Sequence, residues 1–141
     1  MKIDPSQSNE CARFLRMSLR GNALFSTLSG IAFVLLSGTI AAILGDYPAG
    51  YVLAVGFQLL VFAGALAWLS SQAEISTPLT IGVIVADCLW VLGTGVVVYA
   101  DFFTRQGNIL LLGLADVVLL LAILQFLGVR RMKAGLLGVE S

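Results

Sequence analysis

Residues Pro78 to Ala100 read PLTIGVIVADCLWVLGTGVVVYA, twenty-three residues with one charge, Asp87. At 1.5 Å per residue, a helix of that length is about 34 Å long and crosses the roughly 30 Å hydrocarbon core of a bilayer. A helix that is apolar on every face belongs in lipid or in a large core. Three more stretches of the same kind occur, Asn22 to Leu44, Tyr51 to Leu69 and Asn108 to Leu127. The links between them are short: Gly45 to Gly50, Ser70 to Thr77 and Asp101 to Gly107. Short links force neighbours to run antiparallel, so the expected fold is all-α, a four-helix transmembrane bundle with up-down-up-down topology. Strands are disfavoured because lipid demands internally satisfied backbone, and alternating ten-residue segments are absent.

Composition agrees. Of 141 residues, 59% are hydrophobic and 11% charged, against roughly 25% charged in a soluble domain. The formal net charge is zero, so no long-range field favours nucleic acid. There is no histidine, which removes the commonest haem ligand, catalytic base and metal ligand. Cys11 and Cys88 form no C-x-x-C pair and read as small buried or interfacial hydrophobes. Serines lack a histidine, and there is neither a Gly-rich phosphate loop nor an H-E-x-x-H motif. Too little chain lies outside the spans for a separate catalytic domain. The expectation is a non-enzymatic protein with no cofactor and no metal.

The charges are sorted by position. Lys2, Arg13, Arg16 and Arg20 precede the first span, Arg130, Arg131 and Lys133 follow the fourth, and only Arg105 lies in a loop. Basic residues collect on the cytoplasmic side, and an even number of spans puts both ends on one side, so both termini are expected in the cytoplasm. The first apolar run exceeds the 7–15 residues of a signal-peptide core, so it is taken as a retained span. Residues 1–21 form an N-terminal segment, 22–127 the bundle and 128–141 a basic cytoplasmic tail. Asp4, Pro5 and Gln7 suggest a helix start. Beyond them Arg13, Arg16 and Arg20 share one helical face, with Cys11, Phe14, Leu15 and Leu19 opposite. That pattern suits a short amphipathic helix in the interface, its arginines toward anionic headgroups. The alternative is a plain extension of the first span.

The polar residues inside the spans are the candidate site. An aspartate at the bilayer centre costs about 2.5–3.5 kcal/mol on the insertion scale. Counted from the span ends on the terminal side, Asp87 lies about 14 Å deep, and Asp116 and Gln58 about 17 Å. Asp87, Asp116 and Gln58 are therefore expected to form one layer near the midplane. They serve there either as structural glue, through interhelical bonds averaging about 0.6 kcal/mol, or as a proton or cation site, since two carboxylates close together in a poorly solvated layer can share a proton. Supporting residues follow from periodicity: Asn22, Ser26, Ser29 or Gly30, Phe33 and Ser37 stripe the first span, and Val83, Asp87, Trp90 and Thr94 share a face of the third. Tyr51, Trp68 and Tyr99 sit near span ends, as belt residues do. Ser37-Gly38-Thr39 ahead of Asp46 and Gly93-Thr94-Gly95 ahead of Asp101 are either a trace of a duplicated helix pair or a chance likeness of apolar helices.

With Arg20-Gly21-Asn22-Ala23-Leu24-Phe25-Ser26 in the first span and Asp87-Cys88-Leu89-Trp90 in the third, the chain resembles a group of uncharacterised small four-span proteins of the bacterial inner membrane. The resemblance implies the bundle and that membrane, points to Asn22, Asp87 and Trp90, and brings no activity with it. Three functions stay open. The first is a structural or accessory component packed with itself, as a homo-oligomer, or in a membrane complex. The second is a small proton- or cation-coupled transporter or channel using Asp87 and Asp116. The third is a binder of lipid or another hydrophobic ligand.

Overall fold

Pro5 opens the first helix, where its missing N–H costs nothing because first-turn donors have no partner within the helix. A computed structural model describes residues 5–137; Lys2 and Asp4 lie outside that range. The elements in order are α1 (Pro5–Leu35), α2 (Ser37–Leu44), α3 (Ala49–Ser71), α4 (Thr77–Tyr99) and α5 (Arg105–Leu137), with no strand among the described residues. Helices α3, α4 and α5 are each long and apolar enough to cross a membrane, and a fourth crossing is present if the bent pair α1–α2 is one span. The chain is thus an all-helical membrane protein.

Three features differ from expectation. First, α1 runs unbroken from Pro5 to Leu35, so residues 6–20 continue the first span and form no separate interfacial helix. Second, the stretch expected as one span, Asn22 to Leu44, is broken at Leu36, where α1 and α2 meet at 87°. Leu36 has φ −107° and ψ 21°, and the Ser37-Gly38 pair beyond it is a common site of helix kinks. Third, α5 continues to Leu137, so the described part of the basic tail is helix.

The register of α1 against α3 shows which part of α1 does the crossing. The Arg16 guanidinium donates to the carbonyls of Ser70 and Ala73 at the end of α3. Gly30 faces Gly56 so closely that a Cβ on Gly56 would stand 2.9 Å from the backbone nitrogen of Val34. From Arg16 to Leu35 is about 30 Å of helix, the thickness of a hydrocarbon core. A stretch of that length starts six residues before Asn22, with Arg16 at its end beside the close of α3. Cations suit this position, since the carbonyls closing a helix are unpaired and partly negative.

In space the order is α3, α1, α5, α4. Helix α1 packs along both α3 and α5, α4 leans on α5, and α3 barely touches α4. Consecutive helices α3 and α4 are thus not packed neighbours, unlike the expected bundle. The apolar core is split accordingly. Near the termini, Leu15, Leu19, Ala23, Leu66, Leu69, Ile75 and Val129 form one cluster; near the loops, Phe33, Ile40, Ala41, Leu44 and Val52 form another. At the loop end, α2 is tied to the α4–α5 connection. Thr104 donates its N–H to Leu44 O at 3.1 Å and its hydroxyl to Ile43 O, and Tyr47 donates to Phe102 O at 2.6 Å. Asp46 and Asp101, which turn the two connections, both have left-handed backbones, φ 59° and 55°, a conformation Asp tolerates better than most residues. At the other end Leu15 packs on Gly128, and Arg131 lies 5.0 Å over the Phe14 ring.

The glycine contact yields a matched comparison. Gly56→Ala places a methyl against backbone that cannot yield and should destabilise the protein by about 1–3 kcal/mol. Gly64→Ala on the same helix meets nothing within 4 Å and should be neutral or slightly stabilising. Unfolding in mixed micelles, followed by circular dichroism, measures both.

Candidate functional site

Between the two apolar clusters the helices carry polar side chains. Four residues per step along one face of α1 bring Ser18, Asn22 and Ser26 inward, and all three are buried. Seven residues per step along α4 do the same for Thr80, Asp87 and Thr94. The two faces meet in one bond: Asn22 Nδ2 donates to Asp87 Oδ2 at 2.7 Å, and Ser26 in turn donates to Asn22 Oδ1 at 3.3 Å. Asp87 is 3% exposed. The Cα atoms of α1 and α4 stay more than 8 Å apart throughout the described residues, so this side-chain bond bridges helices whose backbones do not meet. Oδ1 of Asp87 receives no hydrogen bond among the described residues.

Asp87 lines a cavity of about 470 Å³. Phe25, Ser26 and Ser29 of α1 form part of its wall, with Gln58, Phe62 and Ala65 of α3, Ala86 and Trp90 of α4, and Leu114 and Val118 of α5. A second, more apolar cavity of about 570 Å³ continues toward the loops past Trp90, bounded by Thr94, Val97, Tyr51, Val55 and Phe103 among others. Trp90 lines both, and its indole N–H has no acceptor among the described residues. The two cavities form a groove between α3 and α4, the pair of helices that barely touch.

The expected midplane layer is therefore assembled in part. Asp87 and Gln58 line the same cavity, although Gln58 is itself exposed. Asp116 does not join them. It is exposed on α5, outside the lining of either cavity. The reason lies in the phase of α5: Ala115, Val118 and Ala122 face inward and are buried, which turns Asp116 out. Among the supporting residues, Asn22, Ser26, Trp90 and Thr94 all belong to the buried layer or the groove. Of the three arginines expected at the membrane surface, Arg13 and Arg20 are exposed, whereas Arg16 is half-buried on α3.

Gln125 was not anticipated. It is fully buried, and neither its amide oxygen nor its nitrogen has a hydrogen-bond partner among the described residues. It lies on α5 between Leu121, which meets Gly21, and Gly128, which meets Leu15, and so stands level with Ser18. The signal was present in the heptad spacing Ala115, Val118, Ala122, Gln125, Val129, a small and apolar stripe with one polar member.

A helical membrane protein with a buried carboxylate at the base of a lateral apolar groove is the class that fold and site define. No protein-family model, curated protein or solved structure matches the chain, so its function is read from these residues alone.

Substitutions test the central bond. Asp87→Asn keeps an acceptor for Asn22 and should fold with little loss. Asn22→Leu and Asp87→Leu each strand a polar partner away from water and should cost about 1–2 kcal/mol, toward the upper end for intramembrane bonds. The double Leu variant should cost less than the two singles added. Micelle unfolding of the four variants provides the cycle.

Proposed function

We propose that the protein is a non-enzymatic component of a bacterial inner membrane, with both termini cytoplasmic. In this reading it receives a hydrophobic ligand bearing a hydrogen-bond donor in the groove between α3 and α4. The observation that supports it is Asp87: one carboxylate oxygen is committed to Asn22, the other has no donor, and the residue lines a cavity whose other walls are largely apolar. An apolar pocket with a few convergent polar groups is the usual form of a small-molecule site. A ligand hydroxyl or amine would donate to Asp87 Oδ1, and a ligand carbonyl would accept from Trp90. Its apolar part would extend along Val97 and Phe103 toward the loops. A groove bounded by two helices that barely touch gives such a molecule entry from the lipid side. The proton- or cation-coupled alternative, which uses Asp87 and Asp116 together, has less support because Asp116 stands outside the groove.

Tryptophan fluorescence tests the ligand. Trp68→Phe leaves Trp90 as the single tryptophan of the two in the chain. A brominated long-chain alcohol should quench Trp90 saturably. Asp87→Leu should weaken that binding about ten-fold, the worth of one hydrogen bond. Ala65→Trp with Trp90→Phe should fill the groove and abolish saturable quenching. Quenching that follows the bulk lipid concentration without saturation would remove the site.

Orientation has its own test. Seven of the eight basic residues flank the bundle on the terminal side. Topology reporters fused after Ser141 should report the cytoplasm, and those inserted between Asp46 and Gly50 the opposite side.

A further inference from the structure

Asp116 poses a problem that the groove does not solve. It lies eleven residues after Arg105 and fourteen before Arg130, so it is about 17 Å and 21 Å from the cations at the two ends of the span. That is mid-depth. Its neighbours one turn away are also exposed: Leu112 at 42%, Leu119 at 40% and Leu120 at 56%, together with Gly113. The side chain is too short to reach either interface, as a lysine or arginine would by snorkelling. Ionisable groups at this depth almost always face protein or water rather than lipid. A Cβ on Gly113 would meet nothing within 4 Å, so another helix can approach closely beside the carboxylate.

We propose that this face of α5 docks a membrane-spanning helix of another protein carrying a lysine or arginine at mid-depth, which pairs with Asp116. Charge decides the occupant. Every Lys and Arg of this chain precedes Gly21, follows Gly128, or is Arg105 at the start of α5. A second copy therefore has no cation to offer at that depth, and a symmetric contact would give Asp116 only the other copy's carboxyl, which can share a proton with it but brings no positive charge. A partner cation offsets part of the cost on both sides, and losing either member of such a pair then leaves the other charge uncompensated. This surface is distinct from the Asp87 groove and stands or falls without it.

The test uses the full chain in phosphatidylcholine bilayers with synthetic spanning peptides of leucine, labelled for energy transfer. A peptide with one central lysine should associate about ten-fold more tightly than the all-leucine peptide, and one with a central aspartate no better than all-leucine. Asp116→Leu, which exchanges an exposed carboxyl for an apolar group and so keeps the fold, should erase the preference for lysine. Asp87→Leu, which disables the groove, should leave it intact. Equal affinity for lysine and leucine peptides would overturn the proposal. So would equal affinity for lysine and aspartate peptides, or self-association of the protein that Asp116→Leu abolishes, which would assign the face to a second copy.

Discussion

The bond from Asn22 to Asp87 owes its importance to what surrounds it. In water an amide and a carboxylate gain little by meeting, since each gives up hydration of similar worth. In a hydrocarbon layer neither has an alternative, and separation leaves both unsatisfied. The bond links α1 to a helix that it does not touch backbone to backbone, and α4 otherwise leans on α5 alone for most of its length. Where α4 stands follows from that link together with the α5 contact and the packing of Val83 and Ile84 on the apolar cluster near the termini, and so does the groove that α4 walls.

The remainder of the architecture is a consequence of where close packing is allowed. Gly30 and Gly56 let α1 and α3 approach until side chains touch the opposing backbone, which draws these two helices together and away from α4. Apolar clusters then close both ends of the assembly, leaving the middle to polar side chains and to the groove. The break at Leu36 contributes by turning α2 across the end of the bundle, where Ile43 and Leu44 accept hydrogen bonds from Thr104 and fix the α4–α5 connection.

Length and apolarity made the helices legible in the sequence, because crossing a bilayer imposes both. Their lateral order was less so. Short links suggested that α3 and α4 would pack together, but a link constrains only the ends it joins, and the glycine contact between α1 and α3 decided the middle. Asp87 is legible as a candidate because a carboxylate in lipid must find a partner, and helical periodicity sets Asn22 and Trp90 among the residues that could support it. Asp116 satisfied the same depth estimate and was placed in the same layer; depth fixes position along an axis and leaves rotation about it free. The inward stripe of Ala115, Val118 and Ala122 carried that rotation, and it also carried Gln125. The amphipathic pattern points Arg16 to headgroups together with Arg13 and Arg20, but its two carbonyl partners lie at and just beyond the end of α3, more than fifty residues away, where local periodicity cannot reach.

The partners in the central bond are 65 residues apart, and this separation orders events during synthesis. In a chain made from its N-terminus, α1 is synthesised before α4. The donor that satisfies the Asp87 carboxylate is therefore made before the carboxylate itself. Among the described helices, α4 is the one whose buried carboxylate takes its hydrogen bond from a helix made earlier in the chain.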